Sequence, residues 1–428
     1  MAHNIRIQHT SSDYEREKLI RPFGLKGGSL TELWQSVARL GSASGYQSIG
    51  LGTQSVLYGD ADLFAALPEY EANRLMYKLT VHSLELVRQT PFSSPPELLK
   101  NILPLALEQG RQFTRKQDLH PNFVLNALIP VDHAAWLIYA AEHGLDTFEG
   151  MLPEEYRAVL SARHERIAIM FQVPYGMPVA EIQKAAKEGY FIIKIKLGQA
   201  GSQAEMLQRD MDRLSEIHSA LQNLHTEQTA DDKLLYTLDA NGRYTQKESV
   251  QKLIDHTEKI GMREQVLLFE EPLHETNEAN VGDLGVRMAA DESLHDEQHA
   301  LRRLELGYGA FVLKSIAKTL SLTLSIAKIA AENQVPCLCA DLTVNPILLS
   351  WHQNLAARLP SFPGLEDVGI METNGKENYL NWDRMLTYHP IPDAEWLKTH
   401  RGTFKLDDTF YQQSGGIFLP SSHYEELM

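Results

Sequence analysis

The chain has 428 residues, with 40 lysines and arginines against 56 aspartates and glutamates and a net charge of −16. That length allows more than one domain, and the acidic balance argues against general binding to nucleic acid or to an anionic membrane. Its two cysteines, Cys337 and Cys339, are too few for a disulfide framework or a cysteine-based zinc set. They stand two apart in an apolar run, on one face of a strand but too far apart for an easy disulfide. The start lacks a basic-then-apolar signal pattern, and no apolar run reads as long enough to span a membrane, so a reduced, cytoplasmic setting is expected.

Residues 1–60 read as strands and loops: a strand at 5–8, a breaker-rich turn or mobile loop at 21–28, and an alternating strand at 46–52. Apolar residues then recur at helical spacing over 70–88 and, more strongly, over 121–143, where Pro130 is expected to split the helix in two. The first third is therefore an α+β unit. From residue 166 apolar runs alternate with amphipathic segments. The strand candidates are 167–172, 191–198, 234–239, 266–270, 286–291, 310–314, 335–340 and 368–372. Helices are expected at 179–188, 203–222, 246–260, after a capping-box-like start at 293–296, and at 320–333, 346–359 and 379–387. Eight such units in about 220 residues suit a (β/α)₈ barrel, typically about 250 residues long. A doubly wound open sheet is the alternative, but no glycine-rich phosphate turn follows any strand. The expected organisation is an α/β protein with an α+β cap at 1–160, a catalytic barrel at 161–389, and a tail, 390–428, that returns to the cap.

Barrel active sites lie at the C-terminal ends of the strands. Here consecutive runs, two to six, end in Lys196, Asp239, Glu270, Asp291 and Lys314. Lys194 shares the face of Lys196, since strand side chains alternate. A lone Lys-x-Lys is usually an exposed edge strand, and a lone aspartate after a strand is usually a helix cap. Five such residues in order along one barrel point elsewhere. Three carboxylates on neighbouring strand ends offer hard oxygens suited to Mg²⁺. The α-proton of a carboxylate is weakly acidic, and its removal makes an enediolate whose charge a divalent cation stabilises. A neutral lysine can take that proton if its pKa falls from about 10.4 towards 7–8, and Lys194 and a metal would both push Lys196 that way. Lys314 would serve the opposite face.

These segments resemble the enolase superfamily, in its muconate-lactonizing subgroup. The likeness is carried by Lys194-Ile-Lys196, Asp239-Ala-Asn241, Glu270-Glu-Pro272, Ala290-Asp-Glu-Ser293 and Lys314. It implies Mg²⁺ held by Asp239, Glu270 and Asp291, with Lys196 and Lys314 as the acid/base pair. It also implies a small-molecule carboxylate substrate, a homo-oligomer, and a cap whose loops cover the barrel mouth, here near Lys26 and Thr53. The mandelate-racemase layout, with a histidine after strand seven and an aspartate on strand six, is disfavoured by Lys314 and by Ala340-Asp341.

Asn241 and Glu292 read as supports for the ligands, and Asp341 as either a helix cap or a substrate contact. His352 and His299 read as surface side chains on helices, and Trp136 as core. The lysine pair serves racemisation, syn-elimination as in o-succinylbenzoate synthase, and cycloisomerisation. A racemase or epimerase resembling the dipeptide epimerases is the first expectation. Those enzymes hold the substrate ammonium with Asp-x-Asp on strand eight, where this chain has Glu372-Thr-Asn374. A metal-binding barrel without turnover is the reading outside catalysis.

Overall fold

The computed structural model describes residues 4–25 and 28–428, so Lys26, an expected substrate contact, lies outside the described residues. The chain opens with an antiparallel sheet of β1 (Ile7–Leu25), β2 (Gly28–Ser42) and β3 (Gln47–Gln54), in that order. Of the breaker-rich stretch expected to be a turn or mobile loop, residues 21–25 and 28 lie in the two strands of a long hairpin, with Phe23 opposite Leu30 and Gly24 opposite Ser29. Alternation hides this hairpin. β1 is mostly polar and gains its cover from stacking, Tyr14 on Trp34 with ring centroids 4.2 Å apart. β2 is buried on both faces, polar Gln35 and Ser36 included, so no period of two stands out.

Helices Glu69–Gln89, Pro95–Thr114 and Pro121–Glu142 complete the cap; the middle one has no counterpart among the expected segments. Pro121–Glu142 is continuous through Pro130, against the expected split. Its burial outweighs the local cost of an internal proline, about 3 kcal/mol. The same helix is long and apolar enough to cross a membrane, a length the sequence reading did not credit, but 89% of its apolar window is buried within the protein. β3 lies directly on it. A Cβ added to Gly50 would meet the Pro130 carbonyl oxygen at 2.0 Å, and one added to Gly52 would meet Pro130 Cδ at 2.6 Å. Gly50→Ala is therefore expected to destabilise the protein by about 1–3 kcal/mol or more in chemical denaturation. An unchanged midpoint would show that sheet and helix can simply separate.

From residue 166 eight strands follow: β4 (Arg166–Val173), β5 (Ile192–Lys196), β6 (Leu235–Asp239), β7 (Val266–Glu270), β8 (Met288–Ala290), β9 (Ala310–Leu313), β10 (Cys337–Cys339) and β11 (Gly369–Glu372). Consecutive strands pair in parallel, and β11 pairs with β4. The ring is closed, a (β/α)₈ barrel rather than an open sheet. Helices between strands match the expected spans to within a few residues, with two differences. The last expected helix, 379–387, is the shorter Trp382–Leu386, and a short helix not expected, Gly375–Asn378, precedes it. The helix Glu297–Glu305 is capped by Asp296, whose carboxylate accepts the His299 amide at 2.7 Å, while Ser293 turns to Glu271. Both cysteines are buried and unbridged.

The tail divides. β12 (Thr399–His400) and β13 (Thr403–Lys405) form a hairpin whose second strand pairs with residues 166–168 of β4. β5 pairs only with residues 170–173, so the hairpin covers an edge that would otherwise be open. The final helix, Ser422–Leu427, reaches the cap, where His423 Nε2 lies 2.9 Å from Glu15 Oε2, and Ser414 Oγ accepts the Phe148 amide at 2.8 Å.

Cap and barrel are joined by Asp132, on the Pro121–Glu142 helix. It accepts from the Leu320 amide at 2.8 Å, the Ser321 amide at 3.2 Å and the Ser321 hydroxyl at 2.5 Å. Burial pushes its carboxyl up to about 7. Its unfolded value is about 3.9, so the folded state binds this proton more tightly. The stability it contributes is complete below about pH 4 and lost as pH rises through about 7. Asp132→Asn is expected to remove that slope, at most about 1.4 kcal/mol per pH unit. Parallel stability profiles for wild type and variant between those pH values would contradict it.

Candidate active site

β5 is buried along its whole length, and its alternation sends Lys194 and Lys196 to the interior at the barrel mouth. Lys196, Asp239 and Glu270 are register partners on β5, β6 and β7. Asp291 directly follows β8, and Lys314 directly follows β9. β5 and β9 stand four places apart in a ring of eight, so Lys196 and Lys314 come from opposite walls. Both line one cavity with Asn241 and Glu372 from the barrel and Ser55 and Tyr58 from the cap.

Every charge here is buried and paired. Lys194 Nζ reaches Glu270 Oε2 at 2.7 Å, Glu372 Oε2 at 2.9 Å and Asp239 Oδ2 at 3.1 Å. Burial alone would lower its pKa, but Glu270, Glu372 and Asp239 outweigh it and hold Lys194 well above the usual lysine range. Lys196 Nζ lies 2.5 Å from Asp239 Oδ2 and 3.3 Å from Asn241 Oδ1. Lys314 Nζ lies 2.5 Å from Asp291 Oδ2 and 4.4 Å from the centre of the Tyr58 ring. Burial opposes its charge, but Asp291, Glu292 and Glu270 prevail and raise it. Asp239 and Asp291 are pulled far down, because the lysines outweigh the burial that would raise them. Glu270 goes the other way: burial and the neighbouring Asp239 push it well above the carboxylate range.

Other expected residues take defined places. Asn241 donates to Glu292 Oε1 at 2.9 Å, linking Glu292 to Lys196. Glu271 turns from the axis, accepting the Asp291 amide at 2.7 Å, and burial with Glu292 pushes it up to about 7. Asp341 accepts from the backbone amides of Leu342 at 2.7 Å and Asn374 at 2.8 Å and lines the cavity, while the helix that follows is capped by Asn345. Glu372 accepts from Lys194 and, at 2.6 Å, from Gln172. Asn374 bonds Gln172 at 2.8 Å and Thr343 at 2.6 Å. Thr53, an expected substrate contact, is withdrawn: its hydroxyl donates to Gln35 at 2.8 Å and its carbonyl accepts from Asn126. Ser55 and Tyr58, just downstream, face the cavity instead. His352 is no surface residue; it is buried, with Nε2 2.8 Å from the Ala340 carbonyl oxygen.

The sequence reading also missed Lys318, whose Nζ bonds the backbone carbonyl of Asp291 and lies 3.2 Å from Asp291 Oδ1. Its spacing of four from Lys314 was the available signal.

Residues 178–395, just over half of the chain, match the family model described as enolase C-terminal domain-like. The chain belongs to the enolase superfamily. Within the superfamily, Lys194-Ile-Lys196 and Lys314 place it in the muconate-lactonizing subgroup. Solved superfamily folds superpose on it at low identity. The L-Ala-D/L-Glu epimerase from Bacillus subtilis is 16% identical, with 86% of this chain and 90% of that one covered and a TM-score of 0.63. The dipeptide epimerase from Enterococcus faecalis V583, solved with Mg and L-Leu-L-Tyr, is 16% identical, with 94% and 97% covered and a TM-score of 0.60. The L-talarate dehydratase from Polaromonas sp. JS666, solved with Mg and L-glucarate, is 15% identical, with 89% and 88% covered and a TM-score of 0.59. No curated protein sequence matches the chain.

The donor set suits a divalent ion. Around the mouth lie seven buried carboxylates (Asp239, Glu270, Glu271, Asp291, Glu292, Asp341, Glu372) and four buried lysines (Lys194, Lys196, Lys314, Lys318). Acids in that excess, all hard oxygen donors, match the preference of Mg²⁺. The oxygens of Asp239, Glu270, Asp291 and Glu372 are drawn to the lysines rather than to one point. Among the described residues, the groups of three ligand atoms lying within 4.8 Å of one another involve histidines at the barrel rim, not these carboxylates.

Proposed function

We propose that this enolase-superfamily protein is a Mg²⁺-dependent racemase or epimerase that removes and returns the α-proton of a carboxylate substrate. The observation that supports it above all is the opposition of Lys196 and Lys314 across one buried cavity. Asp239, Glu270 and Asp291 would hold the cation, whose charge makes the α-proton of a nearby carboxylate more acidic. Lys196 takes the proton from one face in its neutral form. Its present partner, Asp239, is one of the three proposed ligands. Lys314, kept charged by Asp291 and set over the Tyr58 ring, delivers a proton to the other face; the reverse reaction exchanges the roles. Lys194, charged and tied to Glu270 and Glu372, supplies fixed positive charge and is no base. Phe23, Leu30 and Tyr58 line the cavity from the cap.

The substrate reading follows from β11. Glu372 is committed to Lys194 and Gln172, and Asn374 to Gln172 and Thr343. No carboxylate there is left for a substrate ammonium, which favours a neutral α-substituent, as in N-acyl amino acids or hydroxy acids, over a free dipeptide amine. The test is incubation of the Mg²⁺-loaded protein in D₂O with N-acyl amino acids, dipeptides and acid sugars. Exchange of the α-proton with loss of optical purity supports the reading. A dehydrated product transfers it to syn-elimination, for which the same lysines suffice. No exchange across the panel leaves a metal-binding barrel without turnover.

A further inference from the structure

Asp210 is a carboxylate where the helical pattern calls for an apolar side chain. It stands on the helix Gln203–Leu221 with Met206, Leu214, Ile217 and Leu221, on the buried face, and is itself fully buried. Burying a carboxylate is costly unless hydrogen bonds answer it, so its partners show what it is there to hold. Burial pushes the Asp210 carboxyl up, although Tyr244, Gly198 and Gln199 all donate to it.

Those partners come from two loops at the barrel mouth. Asp210 Oδ2 accepts the Gly198 amide at 2.7 Å and the Tyr244 hydroxyl at 2.6 Å, and Oδ1 accepts from the Gln199 side chain at 3.2 Å. Gly198 and Gln199 follow Lys196 at the end of β5, and Tyr244 lies in the loop after Asp239 at the end of β6. Gln203, two turns earlier on the same helix, repeats the link: it donates to the Arg243 carbonyl at 2.9 Å and accepts the Thr245 amide at 3.1 Å. The loop after β5 is also held by Tyr175, after β4, whose hydroxyl donates to the Leu197 carbonyl at 2.6 Å. The Leu197 amide donates to the Asp239 carbonyl at 2.7 Å. The peptides just past Lys196 are thus fixed, and Asp210 joins them to the segment carrying Asp239 and Asn241, the two side chains that Lys196 Nζ meets. Among the described residues Asp210 makes no hydrogen bond to the segment after β9, which carries Lys314.

We propose that Asp210 is a positioning residue for Lys196: by clamping the loops after β5 and β6 to one helix it sets where Lys196 stands against Asp239, and so serves one face of the reaction and not the other. The assignment rests on the reading of Lys196 and Lys314 as opposed bases. The test makes two measurements on the full-length protein. In metal-free buffer, trace labelling with acetic anhydride and peptide mass spectrometry give the rate at Lys196 relative to Lys314. With saturating Mg²⁺ in D₂O, α-proton exchange is followed for each enantiomer separately. Asp210→Ala should raise the relative labelling of Lys196. It should also slow exchange by up to about 10²-fold on the antipode served by Lys196, leaving the other unchanged. Asp210→Asn keeps an oxygen for Gly198 and Tyr244 and should match wild type in both measurements. Tyr244→Phe removes one donor and should move both in the direction of Asp210→Ala; it decides the matter if Asp210→Ala does not fold. The proposal is overturned if the labelling ratio is unchanged in these two variants, or if both antipodes slow equally. If wild type exchanges neither antipode, the racemase reading fails, and the labelling ratio alone decides whether Asp210 positions Lys196.

Discussion

Lys196→Ala and Lys314→Ala are each expected to abolish turnover, by about 10²–10⁴-fold or more, yet to differ in what survives. A variant lacking one lysine keeps the other wall. With a single enantiomer in D₂O, one variant should still exchange the α-proton of one antipode and the other variant that of its mirror image, while neither interconverts them. This follows from the placement of the two side chains on β5 and β9, half a turn apart around the ring. NMR of each enantiomer separately would show it. Equal residual exchange on both antipodes in one variant would mean that a single base serves both faces, and the racemase reading would fail.

The largest effect on stability is expected from Lys194→Met. Lys194 is fully buried and answers Glu270, Glu372 and Asp239 at once. Removing one partner from a buried charge network costs about 3–5 kcal/mol, because the charges left behind cannot be hydrated. Glu270→Gln is the contrasting variant. Glu270 is held above the carboxylate range by burial and by Asp239, and Lys194 keeps two other acids. Its neutralisation should leave unfolding midpoints in metal-free buffer unchanged or raised, while Mg²⁺ no longer stabilises the protein and proton exchange is lost. Urea unfolding of both variants with and without Mg²⁺ decides the matter. A stable Lys194→Met, or a Glu270→Gln that still gains stability from Mg²⁺, would contradict the roles given to these residues.

The barrel was legible because its strands are short, apolar and punctuated by charge. Runs such as residues 266–270 end in a residue no buried strand would carry without cause. The β1–β2 hairpin was not, since β1 is largely polar and β2 hides polar Gln35 and Ser36 inside, so neither shows a period. Pro130 misled for a local reason: propensity speaks for a break, and only the contact with β3 explains why the helix runs on. The identities of the charged residues could be read in order, but their partners could not. That Glu372 answers Lys194 depends on β11 closing against β4, two segments almost 200 residues apart in the chain. Thr53 was chosen by its position beside Gly50 and Gly52, whose glycines serve backbone contact with the helix and not a loop over the mouth.

That contact carries a consequence for how selectivity can change. The two glycines and Pro130 form a keyed joint with no side chain to spare, and Ser55 and Tyr58 lie only a few residues beyond it. Anchorage and recognition are thus assigned to separate positions of one short segment. Variation at 55 and 58 can retune the pocket without loosening the joint, so a library confined to those two sites should yield folded proteins with altered preference, whereas one that includes 50 or 52 should yield mostly misassembled ones.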